Sequence, residues 1–125
     1  MLIIGHSFID YLPFYEIISF EDIENTPSNS TVFFDFDPLI AKKCKTNNIS
    51  YAMRVKDIKE LLFCNALECD FALVECDFAK EAQKIANEYL FDTKILQIIN
   101  SDNELENVAK NGIDGVIFEN ALKRR

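Results

Sequence analysis

The chain has 125 residues, 49% of them hydrophobic and 27% charged, with a formal net charge of −8 at pH 7. That is enough apolar material for one globular domain with a core of its own, and it excludes a disordered chain. The acidic balance argues against the basic face that nucleic-acid binding needs, and Lys123-Arg124-Arg125 is the one run of three consecutive basic residues.

The opening Met1-Leu2-Ile3-Ile4-Gly5-His6 carries no basic n-region and is too short for a signal peptide. No run approaches the ~18 apolar residues of a membrane span, so a cytoplasmic protein without membrane contact is expected. Leu2–Ile4 and Tyr15–Ser19 read as strands, with Asp10–Pro13 between them and no room for a crossover helix. Residues 1–30 are therefore expected as an added strand or hairpin at a sheet edge.

Thr31–Phe36 is a β-branched and aromatic strand bounded by the turn-rich Thr26-Pro27-Ser28-Asn29-Ser30. Asp37 before Pro38 has the form of an N-cap followed by proline at the first helical position, which starts a helix running to about Lys45. Ile49–Val55 is the next strand. Asp57 can cap a helix whose Ile58, Leu61, Leu62 and Ala66 share one face. Phe71–Glu75 is nearly all apolar, as expected of a parallel strand covered on both sides.

Ala79–Leu90 sets Ala79, Ala82, Ile85, Ala86 and Tyr89 on one helical stripe. Lys94–Ile99 is a strand, and Ser101-Asp102-Asn103-Glu104 has the capping-box form. The helix that follows stops at Asn111-Gly112, where glycine accepts the left-handed conformation. Val116–Phe118 is the last strand, and Asn120–Arg125 a short closing helix or tail. Strands alternating with helical patterns imply βαβ units and a mainly parallel sheet.

The apolar runs close on carboxylates, and the working edge of an open α/β sheet lies outside the carboxyl ends of its strands. Asp35 and Asp37 stand two apart on one side of an extended backbone, as do Glu75 and Asp77, and Glu119 ends the last strand. Convergence of Asp35, Asp37 and Glu75 would make a site for Mg²⁺, which prefers oxygen ligands. The alternative for Asp37 and Asp77 is the N-cap of the following helix. No glycine-rich phosphate loop occurs, and the adjacent His6 and Ser7 of a strand would face opposite ways. Cys44, Cys64, Cys69 and Cys76 contain no C-x-x-C spacing and, with one histidine, complete no usual zinc set. They are expected as reduced thiols, mostly buried, with Cys76 turned inward. Phe8, Tyr11, Phe14 and Tyr15 crowd one stretch and would suit a partner or homodimer surface.

The runs Val32–Ile40, Asp70–Glu75 and Gly112–Asn120 resemble a response-regulator receiver domain across residues 31–122. The resemblance implies a three-layer α/β/α sandwich, receiver- or flavodoxin-like, with a mainly parallel five-stranded sheet. It sets Asp35 at one position of the acidic pair that holds Mg²⁺, with Phe36 at the other. Glu75 falls at the phosphoacceptor position and Ser101 near the hydroxyl position, while Glu119-Asn120 replaces Lys-Pro. Such a domain would be a pseudo-receiver, working through protein contacts without the usual phosphorylation. Asn111–Ile117 also resembles the late strands of phosphate-binding (β/α)₈ barrels, with Glu119-Asn120 in place of their glycine-rich loop. Phe33–Asp37 resembles the nucleophile motif of haloacid-dehalogenase-like phosphatases, with Pro38-Leu39 replacing Gly-Thr. The expectation is one α/β domain over residues 1–125, serving as a non-catalytic interaction or regulatory module. The catalytic alternative is a Mg²⁺-dependent phosphoryl-transfer or hydrolase site on Asp35, Asp37, Glu75 and Asp77.

Overall fold

A computed structural model describes residues 1–125. Its strands are β1 (Leu2–Ile4), β2 (Phe14–Glu16), β3 (Thr31–Asp35), β4 (Tyr51–Arg54), β5 (Phe71–Val74), β6 (Lys94–Ile99), β7 (Gly115–Phe118) and β8 (Leu122–Lys123). The helices are α1 (Pro38–Thr46), α2 (Ile58–Ala66), α3 (Cys76–Glu88) and α4 (Leu105–Lys110). All eight strands form one sheet in the order β1-β7-β6-β5-β4-β3-β2-β8. Every pairing in it is parallel.

The caps of α1, α2 and the 3₁₀ turn before α4 fall where the sequence places them, whereas α3 has Glu75 and not Asp77 at its N-cap. Asp37 accepts hydrogen bonds from Leu39 N and Ile40 N at 3.0 and 3.2 Å, with Pro38 opening α1. Asp57 accepts from Glu60 N at 2.8 Å to start α2. Ser101 and Glu104 form their capping box, and Gly112 takes φ +68° after α4.

The parallel α/β character holds, but the five-stranded three-layer sandwich does not. A doubly wound receiver sheet reverses its strand order once and so sends helices to both faces. Here β3 to β7 are neighbours in simple succession, with no reversal. The side chains confirm the consequence. Val32 and Phe34 of β3, Met53 of β4, Val74 of β5 and Val116 of β7 share one core with Ala41, Leu61, Ala82 and Val108 of the four helices. The alternate residues, Phe33, Ala52, Leu73, Leu96 and Ile117, build a second core with Phe14, Ile98, Ala121 and Leu122. No α-helix contributes to that second core.

An inner face without helices is buried because the sheet curls onto it. Phe118 ends β7 and Leu122 begins β8 after only Glu119–Ala121. In a flat sheet six strand steps would put β7 and β8 about 29 Å apart. Three intervening residues reach about 14 Å. The curled sheet therefore brings its two ends together. Gly5 sits at this junction with φ +109°, where a Cβ would lie 2.9 Å from Phe118 Cβ and 3.0 Å from Ala121 Cβ.

Curling also corrects the reading of both chain ends. Residues 1–30 supply the expected added edge strand, β1 beside β7, but no hairpin, since β2 lies between β3 and β8. The segment expected as a closing helix or tail becomes a 3₁₀ turn, Glu119–Ala121, and then strand β8. In α2 the buried residues are Leu61 and Cys64, and Ile58 and Leu62 face solvent. In α3, Phe78 and Gln83 join the buried stripe, whereas Tyr89 lies beyond the helix and is exposed.

Candidate functional site at the carboxyl mouth

Within a strand, the residue two beyond an inward apolar side chain stands on the same face, and at the strand's end it borders the carboxyl-end mouth of the curled sheet. Inside the strands this places Glu16, Asp35 and Arg54 there, and the ion pairs of Arg124 with Glu16 and Glu119 bring those two residues to the same end, while Glu75 and Asn100 follow the ends of β5 and β6. The mouth is where parallel α/β folds gather functional groups.

Most of these charges are paired among themselves. Arg124 Nη2 lies 2.6 Å from Glu119 Oε1, and Nη1 lies 3.7 Å from Glu16 Oε2. The Arg124 guanidinium also rests 5.4 Å above the Phe33 ring, so it roofs the inner core. Glu16 further accepts from Arg125 N at 3.0 Å. At the end of β1, His6 Nε2 lies 3.0 Å from Asp102 Oδ1. His6 Nδ1 accepts from Phe8 N at 3.0 Å, which assigns the ring proton to Nε2. His6 therefore works with Asp102 and not with Ser7.

Glu75 makes no ion pair, and Arg54 makes only a long one. Its Nη1 stands 3.9 Å from Asp35 Oδ1, beyond hydrogen-bond distance. Its Nε is buried and has no partner, which no other buried side-chain nitrogen or oxygen shares.

The acidic cluster read from the sequence is dispersed. Asp35 and Glu119 do stand at the mouth, and Glu75 occupies the N-cap position of α3 without a capping hydrogen bond. Asp37 has turned to cap α1, Asp77 lies in the first turn of α3, and Ser101 accepts from Asn103 N at 3.2 Å. No group of three or more His, Cys, Asp or Glu side chains is placed to hold a metal ion. Asp35, Asp37 and Glu75 therefore do not form the expected Mg²⁺ site, because the helix N-terminus competes for Asp37 and wins. Glu16, Arg54, Asn100 and Arg124 were missed. Strand alternation marks Arg54 and Asn100, but Glu16 and Arg124 required knowing that both chain ends join the sheet.

The aromatic patch divides in the same way. Phe8 is 89% exposed and Phe14 only 4%, its ring packed 5.3 Å from that of Phe71 inside the sheet. Phe14 is therefore core, and no interface residue. Tyr11 is half-buried and its hydroxyl lies 3.4 Å from Asn120 Nδ2, which also donates to Gly5 O at 2.9 Å. Tyr15, on the opposite face of β2 from Phe14, is half-buried. Cys44, Cys64 and Cys69 are buried as expected, but Cys76 opens α3 and is exposed.

A second feature lies along β1, which has a sheet neighbour on one side alone. Beside it runs an open cleft of about 410 Å³ between Met1–Ile4 and Ile9–Leu12, with seven of its eight lining residues apolar. Met1, Leu2, Ile9 and Leu12 are all exposed there, Leu12 by 77%.

No protein-family model matches the sequence, and no curated protein matches it. Among solved structures 21 chains match. One is an Oleispira antarctica phosphodiesterase in complex with the product sn-glycerol-3-phosphate, 15% identical with a TM-score of 0.52 over 78% of this chain. This chain spans 41% of that protein's length. At such identity the likeness shows the fold alone.

Proposed function

We propose that this chain is a non-catalytic protein-interaction module that receives an extended apolar segment of a partner protein beside β1. The observation that carries the reading is the apolar cleft along a strand whose outer edge has no sheet neighbour. In a parallel ladder alternate residues direct both backbone groups to the same neighbour. Leu2 N bonds to Asp114 O at 3.0 Å, so Ile3 turns its N–H and C=O away from β7. An added strand would take up those groups, and its alternate side chains would enter the cleft. The protein's charge of −8, with Asp10 as the one polar residue of the cleft, favours basic flanks on that segment. Internal pairing of His6, Glu16, Glu119 and Arg124 supports a mouth that holds structure together rather than one that turns over a substrate.

The test is a titration of ¹⁵N-labelled protein with a lysine-flanked peptide of alternating valine and threonine. Saturable amide shifts confined to residues 1–4 and 9–12, lost in Leu12→Asp, are expected, together with a monomeric mass by sedimentation. A silent titration refutes the reading. A dimer dispersed by Leu12→Asp puts a second copy in the cleft and refutes the partner segment.

A further inference from the structure

His6 stands two residues past β1, beside the cleft, and both of its ring nitrogens are bonded. Its side chain is 16% exposed, and Nε2 lies 3.0 and 3.1 Å from the two carboxylate oxygens of Asp102. Its Nδ1 accepts from Phe8 N at 3.0 Å, and its carbonyl accepts from Ile9 N at 3.1 Å. Side chain and main chain of this one residue therefore hold the turn 6–9. That turn leads into Ile9–Leu12, the wall of the cleft opposite Met1–Ile4.

The bond from Phe8 N exists only while the ring is neutral. A neutral imidazole has one donor and one acceptor nitrogen, whereas an imidazolium has two donors and no acceptor. No rotation of a protonated ring gives Phe8 N its partner back. The Asp102 contact changes in the opposite sense, because the charge turns a hydrogen bond into an ion pair. Asp102 thus favours the proton and Phe8 N opposes it. The other groups on the ring are uncharged: Phe8 and Phe118 meet it edgewise, with centroids 4.5 and 5.6 Å away. Glu119, next to Phe118, is held by Arg124 at 2.6 Å, and Asp10 lines the cleft itself. The bond to Phe8 N is exposed, so water takes it over once the ring is charged.

We propose that His6 is a proton-operated latch on the cleft: neutral, it fixes the wall Ile9–Leu12, and protonated, it loosens that wall and weakens the hold on a segment beside β1. This role presupposes that the cleft is the docking site. Losing one hydrogen bond whose donor water then solvates lowers affinity about two- to tenfold.

The experiment first follows the full chain without peptide by NMR between pH 8 and pH 5, a range that spans the ~6.5 of an ordinary imidazole. The amides of Phe8 to Leu12 should move with the same midpoint as the His6 ring carbons, and the ring ¹⁵N shifts should show Nδ1 gaining the proton. The lysine-flanked valine–threonine peptide is then titrated at both ends of the range, where its affinity should fall about two- to tenfold from pH 8 to pH 5. His6→Asn sets an amide oxygen where Nδ1 stood, and that oxygen accepts from the N–H two residues on at any pH. It should keep the binding seen at pH 8 and abolish the response of both amides and affinity. Asp102→Asn, at a side chain 62% exposed, removes the anion that favours the proton and should move the midpoint to lower pH. Amides that stay still while the ring titrates, a pH response retained in His6→Asn, or peptide affinity equal at pH 8 and pH 5 would overturn the latch. The amides report whether or not peptide binds, so a silent peptide refutes the docking reading while amides that track the ring still support the latch.

Discussion

Replacing Phe14 by alanine tests whether the sheet is curled. Phe14 is 4% exposed and belongs to the inner core that no α-helix covers, in contact with the Phe71 ring. Truncating a buried phenylalanine costs about 3–5 kcal/mol, from lost burial and the cavity left behind. With a urea m-value of roughly 2 kcal/mol per molar, the midpoint should fall by about 2 M. Domain stabilities of about 5–15 kcal/mol leave most of that range folded after the change. Phe8→Ala is the matched control, because Phe8 is 89% exposed and its loss should stay within about 0.5 kcal/mol. Urea unfolding followed by circular dichroism reads both variants. If Phe14→Ala cost under 1 kcal/mol, or no more than Phe8→Ala, the inner face would be open to water and the curled architecture would be wrong.

Two further outcomes follow from the titratable groups. The Asp22 carboxylate accepts from Ile18 N at 2.8 Å and Ser19 N at 3.1 Å, and Arg125 stands beside it, which lowers its pKa below the ordinary 3.8. A depressed pKa in the folded state means stability complete above the ordinary value and lost as pH falls through the folded one. Asp22→Asn should accordingly flatten the fall of the urea midpoint below about pH 4, and an unchanged acid limb would refute the assignment. Burial pushes the Cys44 thiol up to about 11 and raises Cys69 as well, whereas Cys76 is exposed. A thiol-specific disulfide reagent should modify one cysteine in the native protein and four after unfolding. More than one fast-reacting thiol in the native state would contradict the buried positions.

Local structure was legible residue by residue. Asp37-Pro38, Asp57, Ser101 with Glu104, and Gly112 each satisfy or end a helix through bonds that span four residues or fewer. Their placement needs nothing from the rest of the chain. The strands β3 to β7 were legible for a similar reason, since runs such as Phe71–Val74 suit only a covered parallel strand. The receiver likeness drew on these same runs, and they say nothing of strand order.

What remained open was decided by contacts between residues about a hundred positions apart. A three-residue strand such as Phe14–Glu16 or a two-residue one such as Leu122–Lys123 has no period of its own to read. Leu122–Lys123 becomes a strand because β2 supplies its ladder, and Phe14–Glu16 because the sheet lays it between β3 and β8. The alternation of Phe33 with Phe34, or Leu73 with Val74, declares two apolar faces but does not say what covers each. Helices on both faces and a sheet folded over one of them bury the same residues, so the sequence is compatible with either. The short Glu119–Ala121 turn, joining β7 to β8 six strand positions away, selects the second. That choice also places Arg124 over Phe33 and sets Glu16 beside it. The mouth is therefore a property of closure: its residues are visible in the sequence, but only the tertiary structure brings them around one opening.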